Sequence, residues 1–430
     1  MALTRRAVLL AAVGVVPVVL VPQGATIVAW TALLVLLVAV DVLLAARPQD
    51  VELRRTLPHS VRLGEVAVSA VELTNHSKRP LRGLVRDAWP PSAGAGRNRH
   101  RVRVLPGRRT RVRTALRPTR RGDRHAAAVT IRAIGPLGFA GRQKSLAAPG
   151  RLRVLPAFTS RRHLPSRLAR LRELDGRAAV QVRGEGTEFD SLREYVIGDD
   201  VRAIDWRASA RRAEVVVRTW RPERDRRVFI VIDSSRLSAA RLEDAPRLEA
   251  QIEAALLLSA LAERAGDRVE LVAIDSAVRA RVTGVQGPRL MSTIAESLSQ
   301  VEPALVEMNW PLVAATVRQA LSQRALLVIL SPVEPWAVVD GLLPVLGSLT
   351  RDHQVVVASA SDPETEAIRQ ERDTGEEIYD AAAAERAELE RAAVAGLLQR
   401  AGAHVVQAPP GELPPALADA YLELKAAGKL

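Results

Sequence analysis

The chain contains no cysteine and few aromatic residues. Its 430 residues include six tryptophans, four phenylalanines and three tyrosines. The lack of cysteine excludes disulfides, thiolate metal sites and cysteine nucleophiles, and it fits a reducing compartment. Hydrophobic residues still make up 48% of the chain, so its core must be built mainly from Leu, Val, Ala and Ile.

Common catalytic signatures are also missing from the sequence. There is no Gly-x-x-x-x-Gly-Lys loop, so the chain is not itself a P-loop ATPase. Ser234 and Ser235 lack the Gly-x-Ser-x-Gly elbow of a hydrolase. A formal charge of +14 favours an anionic partner, either lipid headgroups or nucleic acid. Because no nucleic-acid-binding motif or stacking platform accompanies the arginines, we do not expect nucleic acid as a partner.

Two apolar stretches open the chain, at about residues 7–21 and 25–46. The second has the roughly 20 residues needed to cross a bilayer. A cleaved signal peptide is the alternative for the first stretch, but no clean cleavage site precedes Gln23 and a second apolar segment follows at once. Residues 1–48 are therefore predicted to form a two-helix membrane anchor.

The charged residues around these stretches predict their orientation. Arg5 and Arg6 precede the first stretch, and Arg47 follows the second. Positive residues stay on the cytoplasmic side, so we expect a multi-pass protein of the bacterial cytoplasmic membrane with its soluble domains in the cytoplasm. Asp41 lies inside the second stretch, where a carboxylate is costly unless it is hydrated or faces the other helix.

Residues 49–155 follow a period of two that is typical of strands. Pro106-Gly107 separates two alternating runs and predicts a hairpin between them. Several short strands indicate a small antiparallel β-sandwich. We expect the arginines of this hairpin to share one face that contacts anionic lipid, although a solvated face is the alternative. They are Arg99, Arg101, Arg103, Arg109, Arg111 and Arg113.

Residues 156–225 contain a linker and a run that combines glycines, acids, arginines and aromatics. One interpretation is a catalytic or ligand-binding loop that uses its acids. The other is a structural clasp, in which Asp–Arg pairs and Trp206 hold an ordered loop; we prefer it because ion-pair networks imitate active sites. The candidate partner-binding or structural residues are Arg193, Glu194, Tyr195, Gly198, Asp199, Asp200, Arg202, Asp205, Trp206 and Arg211.

Residues 226–430 alternate apolar strands with helical patterns, beginning with the strand 227–233. Such alternation predicts an α/β doubly wound, mainly parallel sheet. Ligands of such sheets bind outside the carboxyl ends of the strands, where Asp233 and Ser235 lie. Asp275, at the end of the second strand, is predicted to be a solvent-facing loop acid.

The run GEGTEFDSLREYVIGDDVRAIDWRASARRAEVVVR, residues 184–218, closely resembles the hallmark stretch of the domain-of-unknown-function 58 (DUF58) family. Residues 118–123, 135–139 and 421–430 are also similar to stretches of that family. The resemblance implies an N-terminal membrane hairpin, a β-rich region and a C-terminal domain similar to von Willebrand factor type A. It also implies no established enzymatic activity and a link to MoxR-type AAA+ ATPases.

In domains similar to von Willebrand factor type A, an Asp-x-Ser-x-Ser run, a threonine and a second aspartate bind a hard divalent cation. This chain keeps Asp233 and Ser235 but has Leu237 and Ser331 where a serine and an aspartate are expected. We therefore expect a degenerate metal site, with no cofactor and no tight magnesium binding.

Together these features predict a membrane-anchored, non-enzymatic scaffold. Its expected partners are a MoxR-type ATPase, membrane lipid and an unidentified client protein, in a chaperone-like role. The alternative is an envelope-associated hydrolase that uses the acids of residues 194–205.

Overall fold

A computed structural model describes residues 2–181, 188–196, 199–212, 214–221 and 226–430. The chain divides into two compact units, Met1–Ala157 and Phe158–Leu430. The helices of the first unit are α1 (Arg5–Val13), α2 (Val15–Leu20) and α3 (Gly24–Leu44). Its strands are β1 (Ala2–Leu3), β2 (Val51–Thr56), β3 (Ser60–Arg62), β4 (Ala67–Asn75), β5 (Leu81–Asp87), β6 (Arg99–Val104), β7 (Arg109–Leu116), β8 (Gly122–Ile134) and β9 (Ala140–Leu155).

One helix in the described part of the chain is long and apolar enough to cross a membrane. The segment is Gly24–Asp50, which begins with α3 and has a mean hydropathy of 2.7. The apolar stretch that precedes α3 is predicted to be the other membrane span. In the structure it is divided at Gly14 into α1 and α2. Each of these is much shorter than the roughly 20 residues that a span requires, so multi-pass topology is not supported by helix length.

Two mainly antiparallel layers form the β-rich part of the first unit. One sheet has the order β1-β9-β8-β5-β6, with β3 added beside β9, and the other has the order β2-β4-β7. Apolar residues of both sheets, including Val71, Val112, Val85 and Ile131, share one buried cluster. They are brought together because alternate side chains of each strand lie on the same face.

The predicted hairpin around Pro106-Gly107 is wrong in its pairing. Strand β6 pairs with β5, whereas β7 pairs with β4 in the other sheet. The turn therefore crosses from one layer to the other, which a sequence pattern does not distinguish from a hairpin. Arginines at alternate positions of both strands are exposed, but they lie in two sheets and do not form the single predicted face.

The end of α3 is fixed to the β-rich layers by Asp41, which is fully buried. Its carboxylate accepts hydrogen bonds from the backbone N–H groups of Leu137 at 2.8 Å and Ala140 at 3.0 Å, and also from that of Phe139. Gly135 makes room for this contact, because a Cβ there would lie 2.4 Å from an Asp41 oxygen. The carboxylate within this apolar stretch is thus a binding group for the turn between β8 and β9.

The second unit is mixed α/β. Its helices are α4 (Leu164–Gln181), α5 (Trp206–Arg212), α6 (Arg247–Arg264), α7 (Leu290–Ser299), α8 (Trp310–Ala320), α9 (Pro335–Ala337), α10 (Leu343–Asp352), α11 (Pro363–Gln370), α12 (Gly375–Arg400) and α13 (Leu413–Ala426). Its strands are β10 (Glu188–Glu194), β11 (Val216–Arg221), β12 (Arg227–Asp233), β13 (Arg241–Leu242), β14 (Ala245–Pro246), β15 (Arg268–Ile274), β16 (Val278–Val282), β17 (Leu326–Leu330), β18 (Gln354–Ala360) and β19 (His404–Ala408).

A six-stranded sheet organises this unit, in the order β16-β15-β12-β17-β18-β19. All neighbours pair in parallel except β15 and β16, which confirms the predicted mainly parallel sheet. Ile230 and Ile232 of β12 pack with α6 and α13 on one face, whereas Phe229 and Val231 pack with α8 and α10 on the other. Both faces are therefore covered, as the continuous apolar run of β12 requires.

Within residues 156–225, which are predicted to contain a linker, residues 164–181 are helical in the structure. They form α4, in which Leu171 is buried and Leu164, Leu168 and Leu174 are partly buried against the core of the second unit. These leucines recur at helical spacing and so share one face. The helix is also tied to α13, since Arg167 and Arg170 both form ion pairs with Asp419.

Candidate functional site

Polar side chains collect where three neighbouring parallel strands end. Asp233 closes β12, Asp275 follows β15, and Ser331 follows β17. Because carboxyl ends of parallel strands meet at one edge of a sheet, these side chains lie together there. All three are buried, as are Ser234 and Ser235.

Both carboxylate oxygens of Asp233 are engaged by the chain itself. One accepts a hydrogen bond from the Ser235 amide at 2.8 Å, and the other accepts from the Ser331 hydroxyl at 2.7 Å. Burial raises the pKa of Asp233, although these hydrogen bonds partly oppose the rise, and nearby Asp275 adds to it. The site thus favours the neutral carboxyl.

Asp275 differs from the predicted solvent-facing acid, because it is fully buried. Arg279 donates to it at 2.7 Å and the Ala277 amide at 3.0 Å. Burial alone would raise its pKa, but these hydrogen bonds and the charge of Arg279 leave the pKa below its usual value. The prediction is wrong because Arg279 reaches back from β16, a strand that the apolar pattern of the sequence does not indicate.

The donor set at this edge fits a hard divalent cation poorly. Such an ion needs six to eight oxygen ligands with several carboxylates among them. Asp233 is engaged by two hydrogen-bond donors and Asp275 is paired with Arg279. In the part of the chain that the structure describes, no group of three or more His, Cys, Asp or Glu side chains is placed to hold a metal.

Further along the same edge lies a cavity of about 370 Å³, lined by residues that follow β17, β18 and β19. Arg247, at the start of α6, is 92% buried in its wall (8% exposed). Its Nε has no hydrogen-bond partner among the described residues, and its Nη1 lies 3.7 Å from Glu334. Burial lowers the pKa of Arg247, while Glu334 and Asp362 oppose that change.

The rest of the cavity wall carries charges of both signs. Arg369 pairs with Glu366 at 2.6 Å, and Arg391 pairs with Glu388 at 2.6 Å. All four residues line the cavity. The charged groups of the wall are thus largely ion-paired, and they lie among uncharged polar residues such as Ser359 and Gln407. No sequence pattern indicates Arg247, because its burial depends on packing between α6 and distant strands.

The central run forms two separate Asp–Arg pairs. Arg193 donates to Asp199 through both terminal nitrogens, at 2.7 and 2.5 Å, and the Val196 amide donates to the same carboxylate at 2.9 Å. The hydrogen bond from Arg193 is the main cause that holds the pKa of Asp199 below its usual range. This bidentate pair connects the end of β10 with the chain that follows it.

The second pair joins the start of α5 to β11. Asp205 accepts hydrogen bonds from the amides of Arg207 at 3.0 Å and Ala208 at 2.9 Å, and from Arg218 at 2.9 Å. The Ala208 hydrogen bond, followed by that of Arg218, lowers the pKa of Asp205. Asp205 therefore caps a helix and holds a strand at once.

The other predicted residues of the run do not join these pairs. Trp206, expected to pin the loop, is 68% exposed because it occupies the outward side of the first turn of α5. Asp200 caps a short 3₁₀ turn through the Arg202 amide. Glu194, Arg202 and Arg211 are exposed, and Tyr195 is half-buried. Gly198 lies outside the described residues.

A buried ion-pair network, which was not predicted from the sequence, joins α13 to Asp267 before β15. The Lys425 ammonium donates to both oxygens of Asp267, at 2.9 and 3.1 Å, and lies 3.0 Å from the Tyr421 hydroxyl. Tyr421 donates to Asp267 as well, at 2.5 Å. The spacing of Tyr421 and Lys425, one turn apart in α13, was the available signal.

Comparison with known proteins finds a family match that lies within the second unit. The model of a family described as "Protein of unknown function DUF58" matches residues 191–396, slightly less than half of the chain. Uncharacterized proteins of Mycobacterium tuberculosis and Mycobacterium bovis are 24% identical over 189 residues, which cover 42% of this chain and 57% of theirs. The chain thus matches little more than half the length of these relatives.

Solved structures give only distant likenesses. The CARDB domain of a Pyrococcus furiosus protein, crystallised with di-metal ions, has a TM-score of 0.19 at 15% identity, covering 25% of this chain and 88% of that domain. A β-glucosidase from Listeria innocua in complex with glucose has a TM-score of 0.18 at 14% identity, covering 24% of this chain and 16% of the enzyme. Scores this low carry no implication for function.

Proposed function

We propose that this chain is a membrane-anchored, non-enzymatic interaction protein that binds a partner protein at the carboxyl edge of the six-stranded sheet. The main support is that the acids at this edge are engaged by the chain's own donors, Asp233 by Ser235 and Ser331, and Asp275 by Arg279. A general acid or base needs a free position next to its substrate. The adjoining cavity instead offers ion-paired charges of both signs.

The partner that the resemblance of residues 184–218 implies is a MoxR-type AAA+ ATPase, which would act with this chain on a client protein. The strand order and the Asp-x-Ser run at the end of β12 are compatible with a domain similar to von Willebrand factor type A. In this proposal Asp233 and Ser235 are remnants of a metal site, and the edge holds protein without a cation.

The anchor in this proposal is α3, with α1 and α2 packed beside it. Gly14 permits close packing, because a Cβ there would lie 2.0 Å from the Trp30 indole nitrogen. Both ends of this helical segment return to the same turn, since Thr4 donates to the Gly138 carbonyl and Asp41 accepts from Leu137. With Arg5, Arg6 and Arg47 at these ends, the soluble units would be cytoplasmic.

A crosslinking experiment in cells tests the partner site. A photoreactive amino acid replaces exposed Glu364, next to the cavity, and a matched control replaces exposed Gln323, which precedes β17 at the opposite edge of the sheet. We expect a MoxR-type ATPase to be crosslinked from position 364 and not from 323. Failure to capture this ATPase from position 364 would count against the proposal.

The alternative of an envelope hydrolase has less support from the geometry. Two of the acids of residues 194–205, Asp199 and Asp205, each bind an arginine and at least one backbone amide. If chemistry depended on these acids, Asp199→Asn and Asp205→Asn variants would lose function while the segment kept its native hydrogen exchange. The clasp interpretation expects both properties to change together.

A further inference from the structure

Two turns of the first unit contact the end of α3, and a third turn lies beside them. The turn of residues 135–139 binds Asp41 through the Leu137 amide, and Arg142 beyond it donates to the Val42 carbonyl at 2.8 Å. The turn between β4 and β5 reaches the same helix, because the Arg79 guanidinium donates to the Leu43 carbonyl.

Buried Asn75 connects the third turn to this group. Its side-chain nitrogen donates to the Arg79 carbonyl at 2.9 Å and to the Val104 carbonyl at 3.0 Å. Its backbone pairs with both Gly107 and Arg108. Residues 104–108 are therefore held beside residues 76–80, at the point where α3 leaves the β-rich layers. We refer to residues 76–80, 104–108 and 135–139 as the base surface.

The base surface carries exposed apolar and basic side chains together. Leu105 is 51% exposed and Leu137 is 41% exposed. Lys78, Arg79 and Arg108 are exposed between them. Leucines at the tips of turns, flanked by cations, are the composition of a surface that lies in the interface of a bilayer.

Acidic groups near this surface do not neutralise it. Asp41 is buried beneath it and engaged by backbone amides. Glu52 lies 3.1 Å from His76, and half-buried Asp50 accepts from the His76 amide through its carbonyl. These two acids are outnumbered by the exposed cations Lys78, Arg79 and Arg108. The outward charge of the base surface is therefore positive, and Arg5 and Arg6 at the start of α1 add to it.

We propose that the base surface binds anionic phospholipid headgroups, with Leu105 and Leu137 inserted into the interface. This inference rests on the proposed membrane anchor, because α3 would enter the bilayer from this surface. Lys and Arg close to an anionic leaflet are attracted to its surface potential, which fades within a Debye length.

The site differs from the arginine face predicted from the sequence. In the β5–β6 ladder, Val104 pairs with Leu81 next to the base surface, whereas Arg99 pairs with Arg86 five residues further along. That distance is about 17 Å at the usual rise of a strand, which is beyond a Debye length. Arg99 is thus farther than a Debye length from the base surface, whereas Arg103 and Arg109 of the predicted face directly flank residues 104–108 in the chain.

Depth measurement by spin labelling tests this inference on the full chain, whose lack of cysteine makes single labels specific. Labels are placed by Leu105→Cys, by Leu33→Cys in the middle of α3, and by Val68→Cys at the exposed, far end of β4. The protein is reconstituted in nanodiscs of phosphatidylcholine alone, or of equal parts phosphatidylcholine and phosphatidylglycerol. Oxygen and nickel accessibility report the depth of each label.

We expect the label at 105 to be several times more accessible to oxygen than to nickel in the anionic discs, and less so in the neutral discs. The combined variant Lys78→Glu/Arg108→Glu should remove this difference, and the label at 68 should stay in water throughout. Equal insertion in both discs, or a label at 105 that stays in water while the label at 33 is buried, would overturn the lipid site alone. A water-exposed label at 33 would instead overturn the anchor.

Discussion

The hydroxyl of Ser331 donates a 2.7 Å hydrogen bond to the carboxylate of Asp233 across two neighbouring parallel strands. A second carboxylate in place of Ser331 would be needed to hold a divalent cation with Asp233. With serine there, Asp233 is left as a buried acid of raised pKa. The edge of the sheet is therefore built to tolerate a neutral carboxyl.

This arrangement predicts that Asp233→Asn stabilises the second unit at neutral pH, by about 1–3 kcal/mol, since ionising a buried group is costly. The amide can still accept from Ser235 and donate to Ser331. The pKa of Asp233 is raised in the folded state. The contribution of its carboxyl group to stability is therefore complete below the unfolded pKa of about 3.9, and it is lost as pH rises through the folded pKa. The advantage of the variant should therefore vanish near pH 4.

Scanning calorimetry of the full chain in detergent between pH 4 and pH 7 measures this effect on the unfolding of the second unit. Asp244→Asn, at an exposed position, is the control and should shift nothing. A large destabilisation of Asp233→Asn at pH 7 would mean that the ionised carboxylate is required, as it would be beside a bound cation.

Magnesium binding is a separate prediction. We expect calorimetric titration of the full chain with magnesium or manganese to show no saturable binding in the micromolar range, because the oxygens of Asp233 are already bound by Ser235 and Ser331. Micromolar binding that disappears in Asp233→Ala would contradict the degenerate site.

The central run is predicted to act as a clasp, which a double-mutant cycle can measure. Asp205→Asn and Arg218→Gln should each speed hydrogen exchange of β10 and β11 severalfold at pH 7, and the double variant should add little, because both residues serve one ion pair. Since the pKa of Asp205 is lowered in the folded state, this protection should be present above about pH 4 and decline as pH falls through the folded value. Additive effects would show that the two side chains act independently.

The sequence predicted the second unit better than the first. The apolar run of β12 has the bounds that the alternation indicated, residues 227–233, because a strand buried on both faces leaves a continuous signal. The position of Asp233 at the carboxyl edge of the sheet was also predicted, because ligand sites of parallel sheets lie at the carboxyl ends of the strands. By contrast, α4 lies in a segment predicted to contain a linker, although its leucines recur at helical spacing, because their burial depends on packing against the core of the second unit.

Features that depend on distant contacts were not predictable. The position of β7 in a second sheet depends on pairing with β4, and the burial of Asp275 depends on Arg279 in an antiparallel edge strand. Asp41 was recognised as an anomaly, but its partners are backbone amides almost a hundred residues away. Backbone donors carry no signature in the sequence.

Asp41 is predicted to hold the β8–β9 turn against α3. In Asp41→Ala the amides of Leu137, Phe139 and Ala140 lose their acceptor, at about 1–3 kcal/mol for each group left unsatisfied. Hydrogen exchange of residues 135–140 should become at least about tenfold faster. Asp41→Asn keeps one acceptor oxygen and should show a smaller effect; equal exchange in the wild type and Asp41→Ala would disprove this role.

The buried Lys425–Asp267 pair is predicted to stabilise the second unit. Lys425→Met removes the ammonium while leaving a carboxylate with little exposure, and breaking such a pair typically costs about 3–5 kcal/mol. Lys429→Met, four residues later at an exposed position, changes the same charge and should be almost neutral. Adding Asp267→Asn to Lys425→Met should recover part of the loss, because the stranded charge is then removed. Calorimetry in detergent compares the three variants, and a neutral Lys425→Met would show that α13 is held by its apolar face alone.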